Sequence, residues 1–357
     1  MGRISYATLK INDVCNFACR YCFPWLKGSE QMTDHMLELI IAYMKREGIR
    51  RVNIPQREPL YNPKRFIEIV KRLQSAGIRV DGFTTNTYNM TRDVIKLVVN
   101  NNMHVLSSFD GIWQDKYRVL RSGKGTSDVV ERNLWAMKGA GARFSIACTV
   151  THDEVGRIFE NYEYLRQFSH AVAFNFDTTT DEYGIQYEDI PEIVQQFEMI
   201  IDKYGFNVFP INKIRHRIVN NFRYTNHMCG AGRGSYTICY DGKIYPCYQT
   251  NGWLPGGDQF ILGDVFNGVD WRKMARFREY DTIVPEKCAN CKSALCGICY
   301  VESYEVTGNW FRPIDIRCKL FEELSELVRR KLRRRPVGTR VANVVRSSDG
   351  WEIAFKV

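Results

Sequence analysis

A chain of 357 residues, 45% hydrophobic and 25% charged, has the balance of a folded globular protein and excludes a disordered, collagen-like or coiled-coil one. The formal net charge of +10 is uneven: nine Lys/Arg against three Asp/Glu over 325–357 place +6 there and leave +4 elsewhere, so the fold itself is nearly neutral. No apolar run approaches the ~20 residues that span a bilayer, and MGRISYATLK lacks a signal peptide's apolar block, so a cytoplasmic chain without a membrane partner is expected.

Strand and helix patterns then alternate. Residues 4–11 alternate apolar and polar as a strand, and 32–46 carry apolar residues at helical spacing behind a Thr33 cap. Strand 52–54, helix 63–76, strand 80–85, helix 91–101 and strand 105–109 follow. Helix 127–139, strand 142–150, helix 154–168, strand 171–177 and helix 190–204 complete the run. Repeated β-then-α units predict a parallel sheet with right-handed crossovers. Six units are too few for a closed eight-stranded barrel, so the expected fold is α/β, a partial (β/α)6 TIM barrel with its chemistry at the C-terminal strand ends. After about residue 225 the rhythm stops. Residues 226–320 hold eight of the twelve cysteines, few helix-length segments and the hairpin signal Tyr240-Asp241-Gly242-Lys243. The expected domains are therefore 1–225, 226–320 and a basic tail 321–357. The tail has a helix over about 320–334 and a hairpin around Ser348-Asp349-Gly350.

Twelve cysteines in a chain without a secretory signal point to metal more than to disulfides. Cys15, Cys19 and Cys22 lie in CNFACRYC, directly after the first strand. Spacings of four and three put three thiolates on one tight loop. A structural zinc or a closed iron–sulfur cluster takes four protein ligands, so three leave one iron open. A zinc knuckle with a distant fourth ligand is the alternative.

This loop resembles the CxxxCxΦC motif of the radical S-adenosylmethionine (SAM) enzymes, and the resemblance extends over nearly all of 4–320. It implies a [4Fe–4S] cluster that binds SAM and cleaves it to a 5′-deoxyadenosyl radical, which abstracts a substrate hydrogen. Tyr21 takes the aromatic place. The family's turn after the second strand, ending Gly-Glu-Pro, here reads Gln56-Arg57-Glu58-Pro59, with Arg57 in place of glycine. The third strand ends Thr84-Thr85-Asn86-Thr87, like TTNG with Thr87 for glycine. The fourth ends Ser108-Phe109-Asp110-Gly111, like SLDG, followed by Tyr117-Arg118. The resemblance thus implies Tyr21, Gln56, Arg57, Glu58, Asn86, Ser108 and Arg118 around SAM. It names no catalytic residue of the protein.

Cys229, Cys247, Cys288, Cys291, Cys296, Cys299 and Cys318 resemble the SPASM extension of that superfamily, with each later central gap one residue short. The resemblance implies two auxiliary [4Fe–4S] clusters: Cys229, Cys247 and Cys299 on the nearer, and Cys288, Cys291, Cys296 and Cys318 on the farther. A pair of zinc sites is the alternative. If Asp241-Gly242 is a two-residue turn, Cys239 faces Ile244 and Tyr236 faces Cys247. Cys239 then lies about 10 Å along the ribbon from the place opposite Cys247, on its other face, and is read as a non-ligand. Cys148 reads as a buried apolar residue.

Relatives that mature sulfatases carry Asp after the cysteine corresponding to Cys247; here it is Tyr248, so formylglycine formation is not expected. Only 14 residues precede the first cysteine, so no leader-binding domain is expected there. The expected function is radical SAM modification of a ribosomally made peptide; modification of a small molecule such as a sugar or amino-acid derivative is the alternative. A flavodoxin- or ferredoxin-type protein is the expected electron donor. RRKLRRR at 329–335 fits either a cationic helix end or a site for an acidic partner, and nucleic acid is not expected.

Overall fold

The structure, a computed structural model, describes residues 4–22, 28–55, 57–178, 182–221, 230–232, 234–251, 257–279, 285–295, 299–310 and 312–334. In chain order the elements are β1 (Tyr6–Leu9), α1 (Asp34–Glu47), β2 (Arg51–Ile54), α2 (Pro63–Ser75), β3 (Arg79–Thr85), α3 (Arg92–Asn100) and β4 (His104–Ser108). Then come α4 (Gln114–Tyr117), α5 (Ser127–Gly139), β5 (Arg143–Val150), α6 (Ile158–Leu165), β6 (Val172–Phe176), α7 (Ile190–Tyr204) and α8 (Ile211–Val219). The cysteine-rich part adds β7 (Thr237–Ile238), β8 (Lys243–Tyr245), β9 (Gly263–Asp264), β10 (Gly268–Val269), α9 (Trp271–Glu279), α10 (Glu286–Ala289), α11 (Tyr300–Thr307) and α12 (Asp315–Arg334). This is the expected parallel-sheet core of a partial (β/α)6 barrel. Helices α8, α9 and α11 lie where the sequence pattern left none. The C-terminal hairpin falls outside the described residues.

Contact density divides the chain into two units that do not follow the sequence boundary at 225. One comprises 1–149, 161–172 and 230–282; the other comprises 150–160, 173–229 and 283–357.

In the first unit the strands run β10-β9-β8-β7-β1-β2-β3-β4-β5. β1 through β5 are parallel, and β7 joins β1 in parallel, Thr8 beside Thr237 and Leu9 beside Ile238. The start of the cysteine-rich region therefore extends the barrel's own sheet. Leu9, Val52, Ile54, Phe83 and Val105 pack against Leu37, Ile40, Phe66, Ile69 and Val94, all buried in one apolar core. Phe66 and Phe83 stack with ring centroids 4.7 Å apart. Each such buried side chain contributes roughly 1.5–3 kcal/mol. Strand alternation then turns Thr8, Asn53, Thr84 and Leu106, all half-buried, to the opposite, inner face. The helices begin as their sequences dictate: Thr33 Oγ1 accepts from Met36 N at 3.2 Å, Asn62 Oδ1 from Arg65 N at 3.2 Å, and Thr91 Oγ1 from Val94 N at 3.3 Å.

In the second unit Phe174 and Phe176 of β6 set their rings against Phe197 of α7, at 5.9 and 6.1 Å. α12 packs on α7 and α8 through buried Leu320, Leu324, Leu327 and Val328. Its basic end is answered within the unit. Arg330 Nη2 lies 3.3 Å from Glu198 Oε2, and Lys331 Nζ lies 2.7 Å from both Glu198 and Asp202. Among the described residues no helix is long and apolar enough to cross a membrane.

Candidate active site

The C-terminal ends of β1 to β5 carry the first cysteine loop and its surroundings. Asn12 starts the loop: its Oδ1 accepts from Val14 N at 3.1 Å and its Nδ2 donates to Glu58 O at 3.1 Å. Ala18 N and Arg20 N bond to Val119 O and Tyr117 O at 2.8 and 3.0 Å, and Cys22 N closes a turn on Cys19 O at 3.1 Å. Cys15 and Cys19 are half-buried and Cys22 is exposed. Burial pushes the Cys15 thiol up to about 11, with Glu58 and Cys22 adding to it and Arg57 opposing. Burial also pushes Cys19 up, against Arg118, with Cys22 and Cys15 adding. A charge on Cys22 thus disfavours one on Cys15 and on Cys19, and a charge on Cys15 disfavours one on Cys19. A cationic centre removes that penalty, so the residues fit a metal cluster.

Three of these loops place a carboxylate in the site: Asp13 after β1, Glu58 after β2 and Asp110 after β4. Glu58, after β2, is wholly buried: Oε1 accepts from Leu60 N at 2.9 Å and Thr85 Oγ1 at 2.6 Å, and Oε2 accepts from Asn86 N at 2.7 Å. Burial pushes its carboxyl up to about 7, against those three donors. Glu58 therefore ties the β2 loop to the β3 loop. Asn86 in turn donates to Asn16 Oδ1 at 2.8 Å and lies 4.0 Å from Cys15 Sγ, which brings the third strand's end onto the cysteine loop. Ser108, at the end of β4, is half-buried. Gln56 lies outside the described residues.

Tyr21 and Arg118 meet on a residue that sequence reading quoted but gave no role. Asp110 is wholly buried; its Oδ2 lies 2.8 Å from Arg118 Nε and accepts from the Tyr21 hydroxyl, and its Oδ1 accepts from Thr149 N at 2.9 Å. The Arg118 guanidinium stands 5.3 Å from the Tyr21 ring centroid, a cation–π contact. Burial works against its charge, yet Asp110 and Tyr21 hold it firmly protonated. Asp13 was also missed. It accepts from Arg57 Nε at 2.8 Å and lies 2.9 Å from Lys10 Nζ.

Both residues that stand in for glycine keep glycine's backbone. Arg57 has φ 61° and Thr87 has φ 64°. Left-handed backbone costs an L residue roughly 1–2 kcal/mol, and a β-branched one is a marked outlier. Side-chain ties hold each in place: Arg57 on Asp13, and Thr87 Oγ1 on Ser107 Oγ at 2.5 Å.

The hairpin in the cysteine-rich region differs from its expected register. Thr237 pairs with Tyr245 and Ile238 with Ile244, so Cys239 faces Lys243 rather than Ile244. The turn has three residues, Tyr240-Asp241-Gly242, with Gly242 left-handed at φ 82°, the bulged alternative to a two-residue loop. This one-residue slip removes the opposite-face argument for Cys239. Cys239 is wholly buried, its charge environment set by Lys10, Asp241, Asp13 and Lys243.

Among the implied auxiliary ligands, Cys247 is buried and accepts from Gln249 N at 3.4 Å, and exposed Cys291 accepts from Ser293 N at 3.4 Å. Such N–H···S contacts suit thiolate ligands. Cys288 lies in α10, Cys299 precedes α11 and Cys318 sits in the first turns of α12, which begins at Asp315 rather than at 320. Cys229 and Cys296 lie outside the described residues. Among those described, no three His, Cys, Asp or Glu side chains converge on one metal ion. A cubane is several ångströms across, so its ligands need not converge on one point.

Residues 9–172 match the Radical SAM superfamily. Human Molybdenum cofactor biosynthesis protein 1 is 30% identical over 279 residues, 72% of this chain and 43% of that protein. The chain spans less than half the length of the curated relatives it matches. In fold it is similar to native anSMEcpe with bound AdoMet and Kp18Cys peptide (TM-score 0.74, 18% identity, 92% of this chain and 97% of that one). It is likewise similar to Streptococcus suis SuiB bound to precursor peptide SuiA (TM-score 0.60, 15% identity, 88% of this chain and 76% of that one). The chain thus carries a radical SAM superfamily domain over residues 9–172, followed by a cysteine-rich region. Members of that superfamily work with a [4Fe–4S] cluster and SAM.

Proposed function

We propose that this chain is a radical SAM enzyme that modifies a peptide. The observation that carries the reading is the fold likeness to anSMEcpe with bound peptide, which extends over nearly the whole of both chains. The inner sheet face supports it. Thr8, Asn53, Thr84 and Ser108 offer hydroxyls and an amide, suited to peptide groups. The nearby cations Lys10, Arg57 and Arg118 are engaged by Asp13 and Asp110, an arrangement poorly suited to a polyanionic nucleotide.

In this reading Cys15, Cys19 and Cys22 hold the SAM-binding cluster, which supplies the electron for SAM cleavage when bound. Asn86 and Ser108 face SAM. Glu58 would accept from the SAM amino group while tying the β2 turn to the β3 loop, and Tyr21 and Arg118 form a wall fixed by Asp110. Cys229, Cys247 and Cys299, with Cys288, Cys291, Cys296 and Cys318, hold two auxiliary clusters. A flavodoxin- or ferredoxin-type donor would supply electrons. Tyr248, where sulfatase-maturing relatives carry Asp, argues for a modification other than formylglycine formation.

A second reading, modification of a small molecule, is favoured by the likeness to human Molybdenum cofactor biosynthesis protein 1 and to the GTP 3',8-cyclase of Pasteurella multocida, 35% identical over 98 residues, 26% of this chain and 29% of that protein. Anaerobic incubation with SAM, dithionite and either a panel of peptides or GTP separates the two. Peptide-dependent 5′-deoxyadenosine with a mass change in the peptide supports the first, and GTP-dependent turnover supports the second. The Cys15, Cys19, Cys22→Ala variant should release no 5′-deoxyadenosine in either case.

A further inference from the structure

Arginine in left-handed backbone is the disfavoured form of a turn that glycine would take without strain. Its side chain must therefore supply something glycine lacks. Arg57 is 9% exposed, with Nε 2.8 Å from Asp13 Oδ1; Lys10, 1% exposed, brings Nζ to 2.9 Å from the same oxygen. Lys10 also donates to Asn251 Oδ1 and lies 5.6 Å from the Tyr240 ring centroid. Asp13 itself is fixed. Its N–H donates to Glu30 O at 2.8 Å, and a Cβ on Gly28 would come within 2.3 Å of its Oδ2, so only glycine lets the chain pass over it. Asp13 stands two residues before Cys15 and Arg57 directly before Glu58, while Asn251 lies four residues after Cys247. Charge thus joins three loops that each carry part of the site. Backbone follows the same path, with Glu58 N donating to Val14 O at 3.1 Å.

We propose that Lys10, Asp13 and Arg57 form an ion clamp that holds the β2 turn against the cysteine loop, making Arg57 a positioning residue for SAM. The clamp fixes in advance an arrangement that SAM would otherwise have to order on binding. It rests on the radical SAM domain and not on the peptide substrate, so it stands or falls apart from the proposed function.

The test is Arg57→Gly, with Arg57→Lys as the conservative control. In the apo chain Arg57→Gly should melt no lower than wild type, because relief of the left-handed backbone offsets the lost ion pair. In the reconstituted holoenzyme, calorimetry should show SAM binding about tenfold weaker. The SAM-induced change in the reduced cluster's EPR spectrum should be lost at SAM concentrations that saturate wild type. Arg57→Lys should recover part of the affinity with the apo melting point unchanged. SAM affinity for Arg57→Gly within about twofold of wild type would overturn the proposal. So would an apo melting point that falls along with affinity, since that marks a merely structural tie.

Discussion

Asp110 Oδ2 lies 2.8 Å from Arg118 Nε, and neither side chain has much access to water. Asp110 also receives the Tyr21 hydroxyl and Thr149 N, so one buried carboxylate holds the cysteine loop, the segment after β4 and the end of β5. Removing one partner of a buried pair leaves the other charge uncompensated, at a cost of about 3–5 kcal/mol. Asp110→Asn should destabilise the apo chain by that order in urea unfolding. The paired Asp110→Leu, Arg118→Leu variant should recover much of the loss. A single-variant loss below about 1 kcal/mol would show that the pair is hydrated and does not organise the loop.

Glu58 makes its three internal hydrogen bonds to Leu60, Thr85 and Asn86 without any ligand. Glu58→Ala should therefore act twice. Losing a charge-assisted hydrogen bond of about 1.5–3 kcal/mol should weaken SAM binding about ten- to a hundredfold. The orphaned Thr85 and Asn86 donors should also lower the stability of the apo chain. Calorimetry with SAM and unfolding of the apo chain read the two effects separately. Unchanged SAM affinity beside lowered stability would leave Glu58 as a tie between loops alone.

Much of this site was legible in sequence order, because strands, helices and their caps follow local pattern. Cys15, Cys19 and Cys22 follow β1, Glu58 follows β2, and Asn86 and Ser108 stand at the ends of β3 and β4, as expected. Helix 154–168 was half right. A 3-10 segment, His152–Arg157, containing Gly156, delays α6 to Ile158. Asp13 and Asp110 were not legible as hubs, since Arg57 lies 44 residues from Asp13, and Thr149 and Tyr21 lie 39 and 89 residues from Asp110, all brought to them only by the fold. Arg57 was visible as a departure, but nothing local shows that its charge returns to Asp13. The hairpin at 240–242 failed for a simpler reason: Asp-Gly suits a two-residue turn, and one added residue changes the face of every side chain beyond it.

Cys239 carries the consequence of that slip. Parity no longer separates it from Cys247, so its role turns on its surroundings, which are Lys10, Asp13, Asp241 and Lys243. Burial raises its thiol just as it raises that of Cys19, so protonation does not separate the two, and its place outside the implied set of auxiliary ligands carries the expectation. Cys239→Ala should therefore retain about twelve irons per reconstituted chain, the content of three [4Fe–4S] clusters. A fall to about eight would make it a ligand.

His104 opens β4, half-buried, with Nε2 3.2 Å from Ser145 Oγ. Burial first, then the nearby Arg143 charge, pushes its imidazole down to about 4 from an ordinary 6.5. In the window between those values the unfolded chain binds a proton that the folded chain refuses. Stability from this group is thus intact above about pH 6.5 and is lost as pH falls toward about 4. At about 1.36 kcal/mol per pH unit the full loss is at most about 3 kcal/mol, and partial hydration should reduce it to about half. His104→Gln removes the titration and should flatten this part of the profile. Unfolding wild type and variant at about pH 7 and about pH 4.5 reads the difference. Parallel losses in the two proteins would place the acid sensitivity elsewhere in the chain.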